Sequence, residues 1–134
     1  MNALAEFRST LPAWRVAVEE WLGQQPAWFR NDPAWASSVY LLGAPPLVAL
    51  GSMVLKNLEE GWINWEELLA RGDDVGNIES ALAQAAHRLA QGDPGPSLGL
   101  MLVFPAPEVF QWAHAAGVLY LLIDGRNHHH PFLG

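Results

Sequence analysis

The stretch SLGLMLVF-PAPEVFQWAHAAG-VLYLLIDG, residues 97–125, contains two uninterrupted apolar runs. The runs cover 97–104 and 118–124, and turn-forming residues bound each of them, which is typical of strands buried on both faces. Between the runs, Pro107 is typical of a helix start and Gly117 of a helix end. A strand, a helix and a second strand in this order predict a βαβ unit with parallel strands and a right-handed crossover.

The fold class follows from this unit and from the helical patterns before it. We expect a single helix-rich α/β domain over residues 1–134, with about five helices covering a small parallel sheet built on 97–124. Apolar periodicity alone does not distinguish a buried strand from a buried helix. The alternative is therefore an all-α bundle, in which 97–104 and 118–124 are buried helices.

Caps, prolines and glycines predict the helix boundaries before the βαβ unit. Asp32 and Asn64 are N-cap candidates, and Glu67 forms a capping-box-like pair with Asn64. Residues 38–42 fit either a helix or a third buried strand, and both interpretations stay open at this point. Helices are predicted from about Pro12 to Leu22, from Pro33 to Leu42, from Pro45 or Pro46 to Gly61, from Asn64 to Gly72 and from Ile78 to Gln91, with a loop at Asp73 and Asp74.

Composition limits the classes of partner. Acidic residues outnumber Lys and Arg by 14 to 7, for a formal charge of −7, so a phosphate backbone would be repelled and nucleic-acid binding is not expected. A basic protein surface or a cation is the better electrostatic partner. There is no cysteine, which excludes disulfides, thiolate metal sites and thiol nucleophiles.

The longest uncharged segment runs from Pro33 to Leu55 and is long enough to span a bilayer. Its Gly-Ala-Pro-Pro centre, at 43–46, instead indicates a break between two buried elements. Near the N-terminus, Glu6 and Arg8 stand where a secretory signal requires an apolar block. We therefore expect a soluble, cytoplasmic protein with no membrane association, and a homo-oligomer formed through Pro33–Leu55 is a further possibility.

Paired acidic residues are the most unusual feature, because three doublets recur every seven residues. Glu59 and Glu60 end a predicted helix, where the negative end of the helix dipole disfavours them, so local stability does not explain them. We predict a small acidic protein-binding module of the adaptor, inhibitor or immunity type, which engages a basic protein surface. Its predicted binding residues are Glu59, Glu60, Glu66, Glu67, Asp73, Asp74, Trp62 and Trp65.

Four other tryptophans recur at intervals of seven residues, at Trp14, Trp21, Trp28 and Trp35. Pro26 interrupts any single helix that would align them. They are either core anchors or an exposed aromatic patch for a partner, since tryptophan is enriched at interface hot spots.

The second hypothesis concerns Asp124, His128 and His130 near the C-terminus. A carboxylate and two imidazoles at the carboxyl end of a strand suit zinc or a similar divalent metal, with water completing the coordination. This alternative predicts a metal-binding domain or a metal-dependent hydrolase, whereas the first hypothesis needs no cofactor. The sequence contains no serine-triad order, Walker loop or dinucleotide glycine motif, so a binding role is favoured over catalysis.

Overall fold

The computed structural model describes residues 13–103 and 107–127, and this part of the chain is built from α-helices joined by short connections. A 3₁₀ segment, Pro45–Leu50, connects the third helix to the fourth. The helices are α1 (Ala13–Gly23), α2 (Ala27–Arg30), α3 (Pro33–Leu42), α4 (Gly51–Glu60), α5 (Trp65–Val75), α6 (Asn77–Ala90), α7 (Gly95–Val103) and α8 (Pro107–Asn127).

The predicted parallel sheet is wrong, since 13–103 and 107–127 contain no strand. The first apolar run lies in α7, apart from Phe104, which is outside the described residues, and the second run lies in the C-terminal half of α8. The second run is also not buried on all sides, because Leu121 and Leu122 are 49% and 62% exposed. The all-α alternative is the one that fits.

The helix α8 continues through Gly117 instead of ending there, and this glycine has a packing role. A Cβ atom at position 117 would lie 2.8 Å from Cγ and Cδ2 of Leu98 in α7. Glycine therefore lets the two helices approach closely, while Ala113 and Ala116 bury the same part of α8 in the core. Glycine in a helix interior lowers helix stability by about 1 kcal/mol relative to alanine, which is too little to end the helix here.

The helix α3 lies at the centre and packs against α6, α8, α1 and α2. Asp32 caps it as predicted, since its Oδ1 accepts hydrogen bonds from the backbone N–H groups of Ala34 (2.9 Å) and Trp35 (3.3 Å). Residues 38–42 are helical, which settles the open alternative. Ser38 is fully buried and its hydroxyl donates to the carbonyl of Ala86 in α6 at 2.7 Å.

The segment from Pro33 to Leu55 folds into α3, the 3₁₀ segment and the start of α4. Most of its large apolar side chains are in the core, among them Val39, Leu41, Leu42, Leu47, Leu50 and Val54. Within 13–103 and 107–127 no single helix is both long and apolar enough to cross a membrane; the two halves around the 43–46 break pass that test only together and are bent by 85°.

Two further boundaries correct the sequence interpretation. The helix predicted from Pro45 or Pro46 begins as the 3₁₀ segment and becomes α-helical only at Gly51. The helix α5 continues through Gly72 to Val75, so Asp73 and Asp74 lie in its last turn and not in a loop. A Cβ atom at Gly72 would lie 3.3 Å from the carbonyl oxygen of Glu79, which shows that this glycine permits the close approach of α5 and α6.

The packing role of Gly117 predicts opposite effects for two Gly→Ala substitutions in α8. Gly117→Ala gains helix propensity but overpacks against Leu98, and overpacking costs about 1–3 kcal/mol, so we expect net destabilisation. Gly125→Ala meets nothing within 4 Å and should stabilise by up to about 1 kcal/mol. Denaturant unfolding of the two variants measures both values, and equal stabilisation by both would contradict the close α7–α8 contact.

Candidate functional site

The six predicted acidic binding residues are all exposed, and two of them meet at one groove. Glu60, at the end of α4, and Glu67, in the first turn of α5, line a groove of about 260 Å³ together with Trp62 from the connecting loop. This feature is called the polar groove below; the described residues that line it are Ser52, Met53, Lys56, Asn57, Glu60, Trp62, Asn64 and Glu67.

Hydrogen bonds hold the loop that presents Trp62. The buried amide of Asn57 donates through Nδ2 to the carbonyl of Met53 at 2.9 Å and accepts through Oδ1 from the backbone N–H of Asn64 at 2.6 Å. Gly61 ends α4 at φ 85°, a left-handed conformation that favours glycine. The predicted pair also forms, because Asn64 Oδ1 accepts from the Glu67 backbone N–H and Asn64 Nδ2 donates to Glu67 Oε2, each at 3.2 Å.

On its other side, Trp62 borders an aromatic cleft of about 230 Å³. Phe29 is central to the ring packing, with centroids 5.5 Å from Trp21, 5.8 Å from Trp28 and 6.0 Å from Trp35. The aromatic cleft is lined by Trp21, Trp28, Phe29, Trp35, Val39, Leu58, Gly61, Trp62 and Ile63.

The two interpretations of the tryptophans each hold for part of the set. Trp21 and Trp35 are half-buried and pack against the core, whereas Trp28 is 71% exposed. Trp62 is also exposed, at 59%. The side chain of Trp14 lies outside the described ones. The aromatic cleft is therefore walled by core anchors and bordered by two exposed indoles.

The remaining predicted binding residues line neither the aromatic cleft nor the polar groove. Asp73 and Asp74 lie about 10 Å along α5 from Glu67, at 1.5 Å per residue. The carboxylate of Asp73 accepts a hydrogen bond from the Ser80 hydroxyl, which gives it a structural role between α5 and α6. Glu66 is favourably placed in the first turn of α5, and Glu59 is exposed at the end of α4. Trp65 is half-buried, with its ring centroid 4.8 Å from that of His87.

A third cavity, of about 350 Å³, involves residues that sequence reasoning did not select. It contains Arg15, which is 2% exposed. The Nη1 atom of Arg15 donates to the Tyr40 carbonyl at 2.7 Å, and its Nη2 atom lies 3.2 Å from Oε1 of Glu19. Its guanidinium carbon lies 4.7 Å from the Tyr40 ring centroid and 5.2 Å from that of Trp112. The cavity is called the arginine cavity below; it is lined by Arg15, Val18, Glu19, Leu22, Gly23, Arg30, Ala36, Tyr40, Leu119, Ile123 and Arg126.

The predicted metal site is only partly within the described residues. Asp124 is half-buried on α8, whereas His128 and His130 lie outside 13–103 and 107–127. Among the residues that the structure describes, no group of three His, Asp or Glu side chains is arranged to hold a metal ion. A site at Asp124, His128 and His130 stays a prediction.

Comparison with known proteins gives no assignment. No protein-family model, no curated protein and no solved structure matches this chain. A function must therefore be inferred from the chemistry of the chain's own side chains.

The hydrogen bonds of Asn57 predict its contribution to stability. Asn57→Ala leaves the Asn64 N–H without its side-chain acceptor, so we expect a loss of about 1–3 kcal/mol and a loosened Trp62 loop. Lys56→Ala, on the exposed face of the same helix, should change stability by less than about 0.5 kcal/mol. Thermal unfolding of both variants provides the comparison, and equal losses would contradict the role of Asn57.

The two tyrosines of the chain should titrate at unusually high pH. Burial raises the pKa of Tyr40, although the Arg15 cation partly offsets this, and burial followed by the charges of Asp124, Asp32 and Asp93 raises the pKa of Tyr120. Because the folded pKa values exceed the unfolded ones, the resulting stabilisation is present below the unfolded value near 10 and is lost as pH rises through the folded values. Tyrosinate absorbance should rise at higher pH in native than in denatured protein; coincident curves would contradict these environments.

Proposed function

We propose that this chain is a binding module for a protein segment that carries a large apolar side chain beside a lysine or arginine. The observation that carries the proposal is the position of Trp62, which is 59% exposed and borders both the aromatic cleft and the polar groove. A segment that crosses this indole enters both features at once.

The aromatic cleft supports the apolar part of the proposal. Its rings are already ordered by packing on Phe29, so a bound side chain gains contact without the entropy cost of ordering the wall. Trp28 and Trp62 leave large apolar surfaces in water, and burial of such indoles is a common source of binding energy at interfaces.

The polar groove supports the basic part. Among the described lining residues, Glu60 and Glu67 outnumber the one cation, Lys56. The C-terminal end of α4 adds the partial negative charge of its dipole beside Glu59 and Glu60. The face of Trp62 offers a cation–π contact to the same lysine or arginine. The net charge of −7 steers a basic partner toward the surface.

The apolar half is tested with peptides selected from a random display library against the intact chain. The selected sequences should pair a large apolar residue with a nearby Lys or Arg. Trp62→Ala should weaken their binding at least tenfold, because truncation of a central tryptophan commonly costs 2 kcal/mol or more, or about 30-fold in affinity. Leu122→Ala is the matched control, since Leu122 is 62% exposed but lies on α8, outside both features. Equal affinities for the two variants would contradict the proposal.

The electrostatic half is tested by association kinetics of the same peptides. Glu60→Lys and Glu67→Lys should each slow association several-fold, and more at low than at high salt, because screening removes the attraction. Asp74→Lys makes the same charge change on α5 but lies outside the polar groove, so its effect should be smaller. Association that ignores both the salt concentration and the two reversals would exclude electrostatic docking.

A further inference from the structure

The arginine cavity lies between four helices, of which α2 contributes Arg30, and shares no described lining residue with the aromatic cleft. Its wall from α1 consists of Arg15, Val18, Glu19 and Leu22, which share one helical face at i, i+3, i+4 and i+7. In α8 the wall residues Leu119, Ile123 and Arg126 likewise share one face, and α3 contributes Ala36 and Tyr40. Both α1 and α8 pack on α3, and the Arg15 guanidinium carbon of α1 lies 5.2 Å from the Trp112 ring centroid of α8.

Positive charge is concentrated at this cavity in an otherwise acidic protein. Three of the seven Lys and Arg residues of the chain line it; among the described lining residues Glu19 is the one carboxylate, so these residues carry a net charge of +2. Arg30 and Arg126 are exposed, whereas Arg15 is buried. The cavity therefore offers guanidinium groups both at a buried wall and at its solvent-exposed edge.

The charge of Arg15 is paired with Glu19, but one of its hydrogen-bond donors is unused within the described part of the chain. Its Nε atom is buried and has no hydrogen-bond partner among the residues that the structure describes. Burial lowers the pKa of Arg15, although the guanidinium stays charged at every physiological pH. Arg15 therefore adds positive potential to the cavity from inside its wall, whereas the exposed Arg30 and Arg126 are the guanidinium groups that an anion can contact.

Apart from the three arginines and Glu19, the described lining residues are mostly apolar. Val18, Leu22, Leu119 and Ile123 supply aliphatic surface, and Tyr40 adds an aromatic ring. A volume of about 350 Å³ lies within the range of small-molecule sites, which combine apolar walls with a few convergent polar groups.

We propose that the arginine cavity binds a small organic monoanion that joins a carboxylate to an apolar body. Guanidinium groups match a carboxylate with two parallel hydrogen bonds, and the aliphatic walls bury the attached body. A small inorganic anion such as phosphate would leave the apolar walls without a partner.

The test uses octanoate as the probe and the full chain as the receptor, with isothermal titration calorimetry as the readout. Octanoate should bind with a Kd at or below the millimolar range. Acetate, which lacks the apolar body, and octanol, which lacks the charge, should each bind at least tenfold more weakly. Inorganic phosphate should not displace octanoate. Absence of octanoate binding at millimolar concentration, or octanol, acetate or phosphate binding as tightly as octanoate, would overturn the proposal.

Side-chain variants locate the site. Arg30→Gln and Arg126→Gln change exposed residues, so the fold should survive, and each should weaken octanoate binding roughly tenfold through the loss of a charge-assisted hydrogen bond. Arg71→Gln removes an exposed arginine from α5, outside the cavity, and should leave the affinity unchanged. If Arg30→Gln and Arg126→Gln bind octanoate as tightly as Arg71→Gln does, the anion binds elsewhere and the assignment is wrong.

Discussion

The burial of α3, Pro33–Leu42, is the constraint on which the rest of the structure depends. This helix has no charged residue, and six of its ten residues are buried, so other helices must cover it on most of its circumference. Ser37 and Ser38 are accommodated there because each hydroxyl donates to a backbone carbonyl. Small residues on the neighbouring helices, such as Ala86 and Ala113, allow close packing around it.

The same helix separates the two candidate binding features. Trp35 and Val39 lie one turn apart on the side of α3 that forms the aromatic cleft, whereas Ala36 and Tyr40 lie one turn apart on the side that forms the arginine cavity. The cleft adjoins carboxylates through Trp62, and the cavity is lined by arginines. Under the two proposals, this acidic chain binds a basic segment at one surface and an organic anion on another face of the same central helix.

Local sequence signals predicted many of the helix boundaries. The remaining boundaries and the fold class depend on tertiary packing, which these signals do not report. The caps at Asp32 and Asn64 form as expected because each depends on residues a few positions away. The prediction of a sheet was wrong because an apolar run fits a helix or a strand equally. Gly117 was interpreted as a helix end, but it permits close contact with Leu98, which is distant in sequence. Likewise Trp62, Glu60 and Glu67 were selected from the sequence, but the arginine cavity unites positions over a hundred residues apart.

Residue-resolved native-state hydrogen exchange tests the central role of α3 most directly. If α3 is the helix that the others cover, its amides in residues 36–42 should exchange through global unfolding only and be among the slowest of the chain. The short α2, which has no buried residue, should exchange much faster through local opening. Exchange of the α3 amides as fast as those of α2 would contradict the central, buried position of this helix.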